Sequence, residues 1–414
     1  MMLRRVVVTG LGGVTSLGQT FRETWPALLA GRNGIGPIRS FDTKEFRTTF
    51  AGEVAGYKPE DHFEPLEARK LDLYTQYAMI GADECLQDSG LDLSAVDLDL
   101  FAVIMGTGIG GINAIEAQHI DQLERGPRRS SPHFIPKMMP NAMAGQISIK
   151  HGLRGTNYVT SSACASAAHA LGAAYRAVQV GEADCVLSGG SESAITPLAV
   201  AAFGAMRALS TRNEEPELAS RPFDKDRDGF VMGEGSGVLL LEEREHALRR
   251  GARIYAEFLG YGSTADAFHI TQPKEDGAGP RRAMELALRS GGRRPEDVDY
   301  VNAHGTSTHY NDLVETTALK HVFGEHARKL AVSSTKSMIG HLLGGSGAIE
   351  AAVTCRSIAD GVVHPTRNHV SPGEGCDLDY VPGESRTLAV RNAISNSLGF
   401  GGHNVCLLFG RHEA

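Results

Sequence analysis

Three side chains stand where a chain of this kind can do chemistry. The run Asn157-Tyr-Val-Thr-Ser-Ser-Ala-Cys164-Ala-Ser-Ala-Ala-His passes from β-branched residues to an Ala-rich pattern, which predicts strand, turn, helix. Ser161 or Ser162 is suited to cap that helix, placing Cys164 in its first turn. Unpaired amides and the positive helix end there favour thiolate over thiol, and thiolate is the nucleophile. The alternative is a buried, inert cysteine. That fits Cys85, Cys185, Cys355 and Cys406, and the local pattern leaves Cys164 open between the two. His304 follows the strand-like Val298–Asn302 and precedes Gly305-Thr306-Ser307-Thr308, a strand end of the kind where α/β folds place reactive groups. His341 follows Lys336 and leads into a helical stretch carrying Glu350. Lys336 and Glu350 are placed to pair and to hold His341 between them.

Together these types suit thioester chemistry. A thiolate attacks an acyl thioester while backbone amides hold the oxyanion. If the second substrate is a malonyl thioester, loss of CO2 leaves an enolate, and two neutral imidazoles can donate hydrogen bonds to its oxygen. Neither a metal nor an organic cofactor is required.

The elements that must position these groups are legible as alternation. Arg5–Thr9, Phe101–Met105, Asn157–Thr160, Ala183–Ser188, Tyr300–Asn302 and Leu330–Ser333 read as buried strands. Tyr74–Ser89, Ala163–Val180 and Gly347–Ser357 read as helices, which makes the class α/β. Arg253–Gly262 and Arg386–Gly410 read as paired strands, so the sheets are mixed. The best division falls at Arg250-Gly251, after a charged helix Glu242–Arg250, giving parts of 3–250 and 251–412. The residues alone reveal no internal repeat.

Several motifs point elsewhere and fail. Gly106-Thr-Gly108-Ile-Gly-Gly111 matches GxGxxG, but no acid stands about 20 residues on, as a dinucleotide fold requires. Asp224-Lys-Asp226-Arg-Asp228-Gly229 opens like a calcium loop, yet its twelfth position is Gly235, so a surface turn is expected. Ser333-Ser-Thr-Lys336 matches SxxK without its companion motifs.

With 414 residues and a net charge of −8, the chain is large enough for a substantial core and gives no sign of nucleic-acid binding. No run of about 18 apolar residues predicts a membrane span. Met1–Gly18 does not read as a secretory signal. The six cysteines form no CxxC pair, which fits a reduced, cytoplasmic protein. From Arg125 to Gly181 there is no Asp or Glu, while Arg125, Arg128, Arg129, Lys137, Lys150, Arg154 and Arg176 fall within it. Such a basic stretch in an acidic chain suits an acidic or phosphate-bearing partner.

Taken together, Ala163-Cys164, Asp224–Glu234, His304-Gly-Thr-Ser-Thr308, Lys336–His341 and Gly399-Phe400-Gly-Gly-His-Asn404 resemble the β-ketoacyl-acyl-carrier-protein synthases. The likeness is to the type II elongating enzymes of fatty acid synthesis. It implies a thiolase-like fold, two fused βαβαβαββ halves in five α/β/α/β/α layers, in a homodimer. It implies that Cys164 takes the acyl chain, and that His304 and His341 bind the malonyl carbonyl and promote decarboxylation. Lys336 and Glu350 would organise the site, and the amides of Cys164 and Phe400 would form the oxyanion hole. Thr271, Thr306 and Thr308 would contact the pantetheine arm, with Gly399 and Gly401 beside the substrate. Ile109 would line the acyl pocket, joined by Phe134 of the partner subunit. The acyl carrier protein, bearing acyl and malonyl phosphopantetheine thioesters, would dock on Arg69, Lys70, Arg128, Arg129 and Arg207. A structural Na or K ion would sit near Asn302, Glu350, Ser395 and Asn396.

Relatives of the fold are separated by single residues. A thiolase needs a second Cys near Gly399–Asn404, a type III starter enzyme has Asn for His341, and a non-catalytic length-determining subunit lacks the nucleophile. A polyketide ketosynthase shares the Cys-His-His set and stands as the rival.

Overall fold

The computed structural model describes residues 3–413. Ten strands make up the main sheet: β1 Val6–Val14, β2 Phe101–Gly106, β3 Asn157–Thr160, β4 Cys185–Glu192, β5 Gly235–Glu243, β6 Ala256–Ala265, β7 Tyr300–Asn302, β8 Ala331–Ser333, β9 Asn392–Gly399 and β10 His403–Gly410. Their spatial order is β8-β7-β9-β10-β6-β1-β5-β4-β2-β3. Numbered within each half, this is 3-2-4-5-1 and then its mirror. The pairings repeat too. β2 is parallel to β3 and β4, as β7 is to β8 and β9. β5 is antiparallel to β4 and β1, as β10 is to β9 and β6. The halves meet where β1 pairs with β6 over Val6–Val8. The duplication that no residue pattern reveals is thus plain in the topology, because register and direction repeat while side chains have diverged.

Six helices complete the layers: α1 Leu73–Ser89, α2 Ala142–His151, α3 Ser166–Val180, α4 Ala278–Ser290, α5 His309–Phe323 and α6 Ser346–Asp360. The strands and helices alternate as β1-α1-β2-α2-β3-α3-β4-β5 and β6-α4-β7-α5-β8-α6-β9-β10. Helices α3 and α6 pack against each other and against strands of both halves. They form the middle of five layers, with α1 and α2 outside one half and α4 and α5 outside the other. Three apolar clusters share the same plan. One surrounds α3 and α6, one lies under α1 and α2, and one lies under α4 and α5.

Covered on both sides, the interior strands need not alternate polar and apolar residues, and β1, β2 and β4 are buried along their whole lengths. The middle helices are likewise buried nearly all round. Their Ala and Gly content allows close approach: a Cβ on Gly347 would lie 2.9 Å from the Ala168 amide nitrogen.

Some expected elements differ. The charged helix is Arg244–Arg249, because Glu242 and Glu243 finish β5. The run Asp224–Gly229 is a turn exposed at Lys225, Asp226 and Asp228 but anchored in the interior at its start. Asp224 is fully buried and accepts hydrogen bonds from the amides of Val370, Ser371 and Asp226, with Arg221 paired to it. A carboxylate so occupied cannot serve as a calcium ligand.

Candidate active site

Loops from both halves meet at the carboxyl ends of the parallel strands. Cys164 follows β3 and precedes α3; His341 follows β8 and precedes α6, so the two occupy equivalent places in the duplicated halves. His304 follows β7, and Phe400 follows β9. All four line one cavity of about 370 Å³. Ile109, Phe203, Phe230 and Leu343 supply apolar wall, while Thr271, Thr306 and Thr308 supply hydroxyls.

Cys164 is not in the first turn of α3. The helix begins at Ser166 with Ala165 as its cap residue, and neither Ser161 nor Ser162 caps it. A tight turn intervenes, with Ala163 at φ +49°. Ser166 braces it: its hydroxyl donates to Ala163 O at 2.7 Å and accepts from the Ser162 amide at 2.9 Å. The Ser162 hydroxyl turns away to His169 Nδ1 at 2.6 Å. The resting sulfur is a thiol, since burial raises its pKa to about 11, with Lys336 and the amides of Phe400 and Cys164 opposing. Desolvation therefore outweighs the helix end that favours thiolate. Those same two amides reach the sulfur, so both oxyanion donors implied by the resemblance converge beside the nucleophile.

The histidine rings stand 5.3 Å apart and nearly perpendicular, and both are almost wholly buried. Burial, then the charge of Lys336, holds each well below the ordinary imidazole range. Lys336 does pair with buried Glu350, and it also reaches the other histidine, His304. Its Nζ lies 3.2 Å from His304 Nδ1. An ammonium can only donate, which makes Nδ1 the acceptor and leaves the proton on Nε2. Burial raises Glu350 to about 7 despite Lys336. His341 is instead held by Ser346 Oγ, 2.8 Å from its Nδ1. The strand-like segment Val231–Gly233 bonds the backbone of His341 on both sides. Its Nε2 is buried without a hydrogen-bond partner among the described residues.

Two functional groups escape sequence reasoning. Glu315, on α5, accepts the amides of His304 and Gly305, each at 2.9 Å. Ser346 orients His341. Their only sequence signal is proximity to a histidine, 11 and 5 residues away, which chance often supplies.

The other expected positions are distributed around and beyond the cavity. Thr306 and Thr308 join hydroxyls at 2.9 Å inside it. Gly399 and Ile109 line it, but Gly401 lies behind Phe400, its amide donating to Ile270 O at 2.6 Å. Phe134 is half-buried on the helix Phe134–Met138, away from this chain's own cavity. Arg69, Lys70, Arg128, Arg129 and Arg207 are all exposed, and Arg207 stands at the cavity rim.

Asn302 and Ser395 are register partners on adjacent strands, and Asn302 Nδ2 reaches Glu350 O. Asn302 Oδ1, Glu350 Oε2, Ser395 Oγ and Asn396 Oδ1 are all buried and lack hydrogen-bond partners among the described residues. Such groups are costly unless satisfied, and an all-oxygen set with one carboxylate fits a hard cation. By contrast, the potential ligands Cys185, Glu242 and His246 are occupied, since Arg250 and Thr9 already bond Glu242.

Residues 3–247 match the β-ketoacyl synthase N-terminal domain family and residues 255–370 the C-terminal one. The 3-oxoacyl-[acyl-carrier-protein] synthase 2 of Synechocystis sp. is 51% identical over 410 residues, 99% of each chain. That of Staphylococcus aureus is 48% identical over 411 residues, again 99% of each chain. Among solved structures, a β-ketoacyl synthase from Burkholderia phymatum superposes with a TM-score of 0.91 at 38% identity, covering 99% of this chain and all of that one. A type II polyketide ketosynthase, bound to a hexaketide and in complex with its acyl-carrier protein, gives 0.93 at 34% identity with the same coverage.

Proposed function

The chain belongs to the β-ketoacyl synthase family, and from that premise we infer that it is the 3-oxoacyl-[acyl-carrier-protein] synthase of fatty acid elongation, an acyltransferase. The observation that carries this reading is the convergence of Cys164, His304 and His341 on one cavity, with both imidazoles neutral. The higher identity to fatty acid enzymes, over almost the full chain, favours fatty acid over polyketide substrates.

The chemistry follows from the geometry. Cys164 attacks the acyl thioester, its proton leaving with the pantetheine thiol, and the amides of Cys164 and Phe400 hold the oxyanion. The acyl chain lies against Ile109 and Phe203, and the pantetheine arm passes Thr271, Thr306 and Thr308. Malonyl carrier protein then enters. Nε2–H of His304, and that of His341 with Ser346 donating to its Nδ1, grip the thioester oxygen. Loss of CO2 places charge on that oxygen, where two neutral donors stabilise it without a competing proton transfer. The enolate carbon attacks the Cys164 thioester and expels the thiolate, which takes up one proton from solvent to restore the resting thiol. The products are 3-oxoacyl carrier protein, CO2 and free carrier protein.

The carrier protein docks on Arg69, Lys70, Arg128, Arg129 and Arg207, whose exposure and charge suit an acidic partner. The chain forms a homodimer. Exposed Ile115, Ile120, Leu123, Ile135, Ile149 and Tyr158 support this, lying in the segment that ends at the outermost strand β3. There the partner subunit's Phe134 reaches the acyl cavity. A Na or K ion is held by Asn302, Glu350, Ser395 and Asn396, where it satisfies the orphaned oxygens and supplies no reacting group. Six free cysteines suit the cytoplasm, and no helix of the described residues is long and apolar enough to cross a membrane.

The test is incubation with malonyl carrier protein and a ladder of acyl carrier proteins, with products read by mass. Single extension of a range of saturated chains is expected. Inertness toward them, with turnover of polyketide intermediates, would overturn the fatty acid reading.

A further inference from the structure

The glycine-rich run that fails as a nucleotide loop is an anion cradle, and its anion belongs to the chain. Glu192 ends β4, fully buried. Its Oε1 accepts from Thr107 Oγ1 at 2.8 Å, the Ile109 amide at 3.1 Å and the Gly110 amide at 3.2 Å. Its Oε2 accepts from the Gly108 amide at 2.7 Å and the Gly344 amide at 3.0 Å. Successive amides converging on one point form a nest that binds an anion, and here a carboxylate saturates it.

The donors come from two functional segments. Thr107–Gly110 carries Ile109 into the cavity, and Gly344 lies three residues beyond His341. The segments touch closely: a Cβ on Gly344 would stand 2.1 Å from the Gly108 amide nitrogen and 2.6 Å from Glu192 Oε2. The same loop abuts the nucleophile turn, since Ser161 Oγ donates to Gly108 O at 3.4 Å. One buried charge therefore joins the wall of the acyl cavity, the loop bearing His341 and the flank of Cys164.

Resting on the condensing-enzyme reading, we propose that Glu192 is a positioning residue that locks the Ile109 loop to the His341 loop, so that acyl-chain selection and malonyl decarboxylation share one support. A carboxylate is required because all five partners donate. Glutamine would turn an NH2 toward one side of the cradle, leaving its donors unpaired and releasing one segment from the other.

The experiment uses the full chain, wild type beside Glu192→Gln, with folding checked by circular dichroism and melting. The half-reactions are measured separately: Cys164 acylation across a chain-length ladder by intact mass, and CO2 release from malonyl carrier protein. In Glu192→Gln the preference among chain lengths should flatten. The kcat for CO2 release should fall roughly 10- to 100-fold, the scale of an ångström-level misplacement. The KM for malonyl carrier protein should stay within about 3-fold, because binding groups remote from the cradle are intact. Thr107→Val keeps the charge and removes one donor, and should shift both readouts in the same direction by less. A folded Glu192→Gln with wild-type half-reactions, or with one altered alone, overturns the proposal. If Glu192→Gln does not fold, Thr107→Val decides, and wild-type behaviour in both of its half-reactions overturns it. A wild-type chain that performs neither half-reaction overturns the condensing-enzyme reading, and this proposal with it.

Discussion

Replacing Gly399 by alanine probes the oxyanion hole through a displacement that the structure quantifies. The new Cβ would stand 2.9 Å from Ser162 O, 3.1 Å from the Ala165 nitrogen and 3.2 Å from the Cys164 nitrogen. Comfortable contact begins at about 3.5 Å, so the end of β9 must retreat by about 0.6 Å. The turn cannot yield instead, because all three atoms are backbone and Ala163 already sits at φ +49°. Phe400 is the next residue, and its amide retreats from the sulfur. Deleting an oxyanion donor costs about 10²- to 10³-fold in kcat. Lengthening its bond rather than deleting it should cost roughly 10- to 100-fold. Overpacking should lower stability by about 1–3 kcal/mol. Thr306, Thr308 and the basic surface are untouched, so KM for carrier-bound substrates should hold. Steady-state condensation, mass-resolved acylation of Cys164 and thermal melting read these effects separately. A kcat within about 2-fold of wild type, alongside the expected stability loss, would show that the Phe400 amide is no oxyanion donor.

Other consequences separate the parts of the site. Cys164→Ala should abolish acyl transfer. His341→Ala should still acylate at Cys164 but lose malonyl CO2 release by about 10²-fold or more, and normal CO2 release by it would remove His341 from the mechanism. Burial holds His304 and His341 well below the ordinary imidazole range and His169 and His364 near 4. Below pH 6.5 the unfolded chain takes up protons that the folded chain refuses. The stabilising contribution of these histidines is therefore fully present above about pH 6.5 and lost as pH falls toward about 4, while Glu350, raised to about 7, opposes it over the same window; a His169→Gln, His364→Gln double variant whose melting temperature depends on pH as wild type's does across that window would contradict this. Reversing the charges of Arg128 and Arg129 to Glu should raise KM for carrier-bound substrates several-fold while sparing kcat, with a salt dependence that weakens in the variant. Unchanged KM at low salt would move the docking face elsewhere.

Residue types and local order are enough to find Cys164, His304, His341 and Lys336, because each stands at a strand end beside glycines or hydroxyls. They are also enough for the α/β class, since β-branched runs alternate with Ala-rich ones. The duplication is hidden, because a shared strand order constrains backbone direction and register and leaves side chains free to diverge. Local reading also misjudges partners. Spacing along the chain pairs Lys336 with Glu350 but gives no sign that Lys336 also contacts His304, 32 residues away, across the junction of β7 and β8. Asp224 reads as a surface turn because its neighbours are charged; it is buried because distant amides of Val370 and Ser371 satisfy it.

Cys164 marks the boundary. Its identity and its place after a strand are written in the sequence, as is the set of residue types that suit thioester chemistry. Its protonation is not. Helix-end amides argue for thiolate, whereas the fold sinks the sulfur in a cavity and raises its pKa to about 11. Only the tertiary structure decides that, and only it brings the Phe400 amide, from the far end of the chain, to the same atom. Sequence spacing determines local electrostatics, but desolvation and long-range hydrogen bonds depend on which distant segments close over a group.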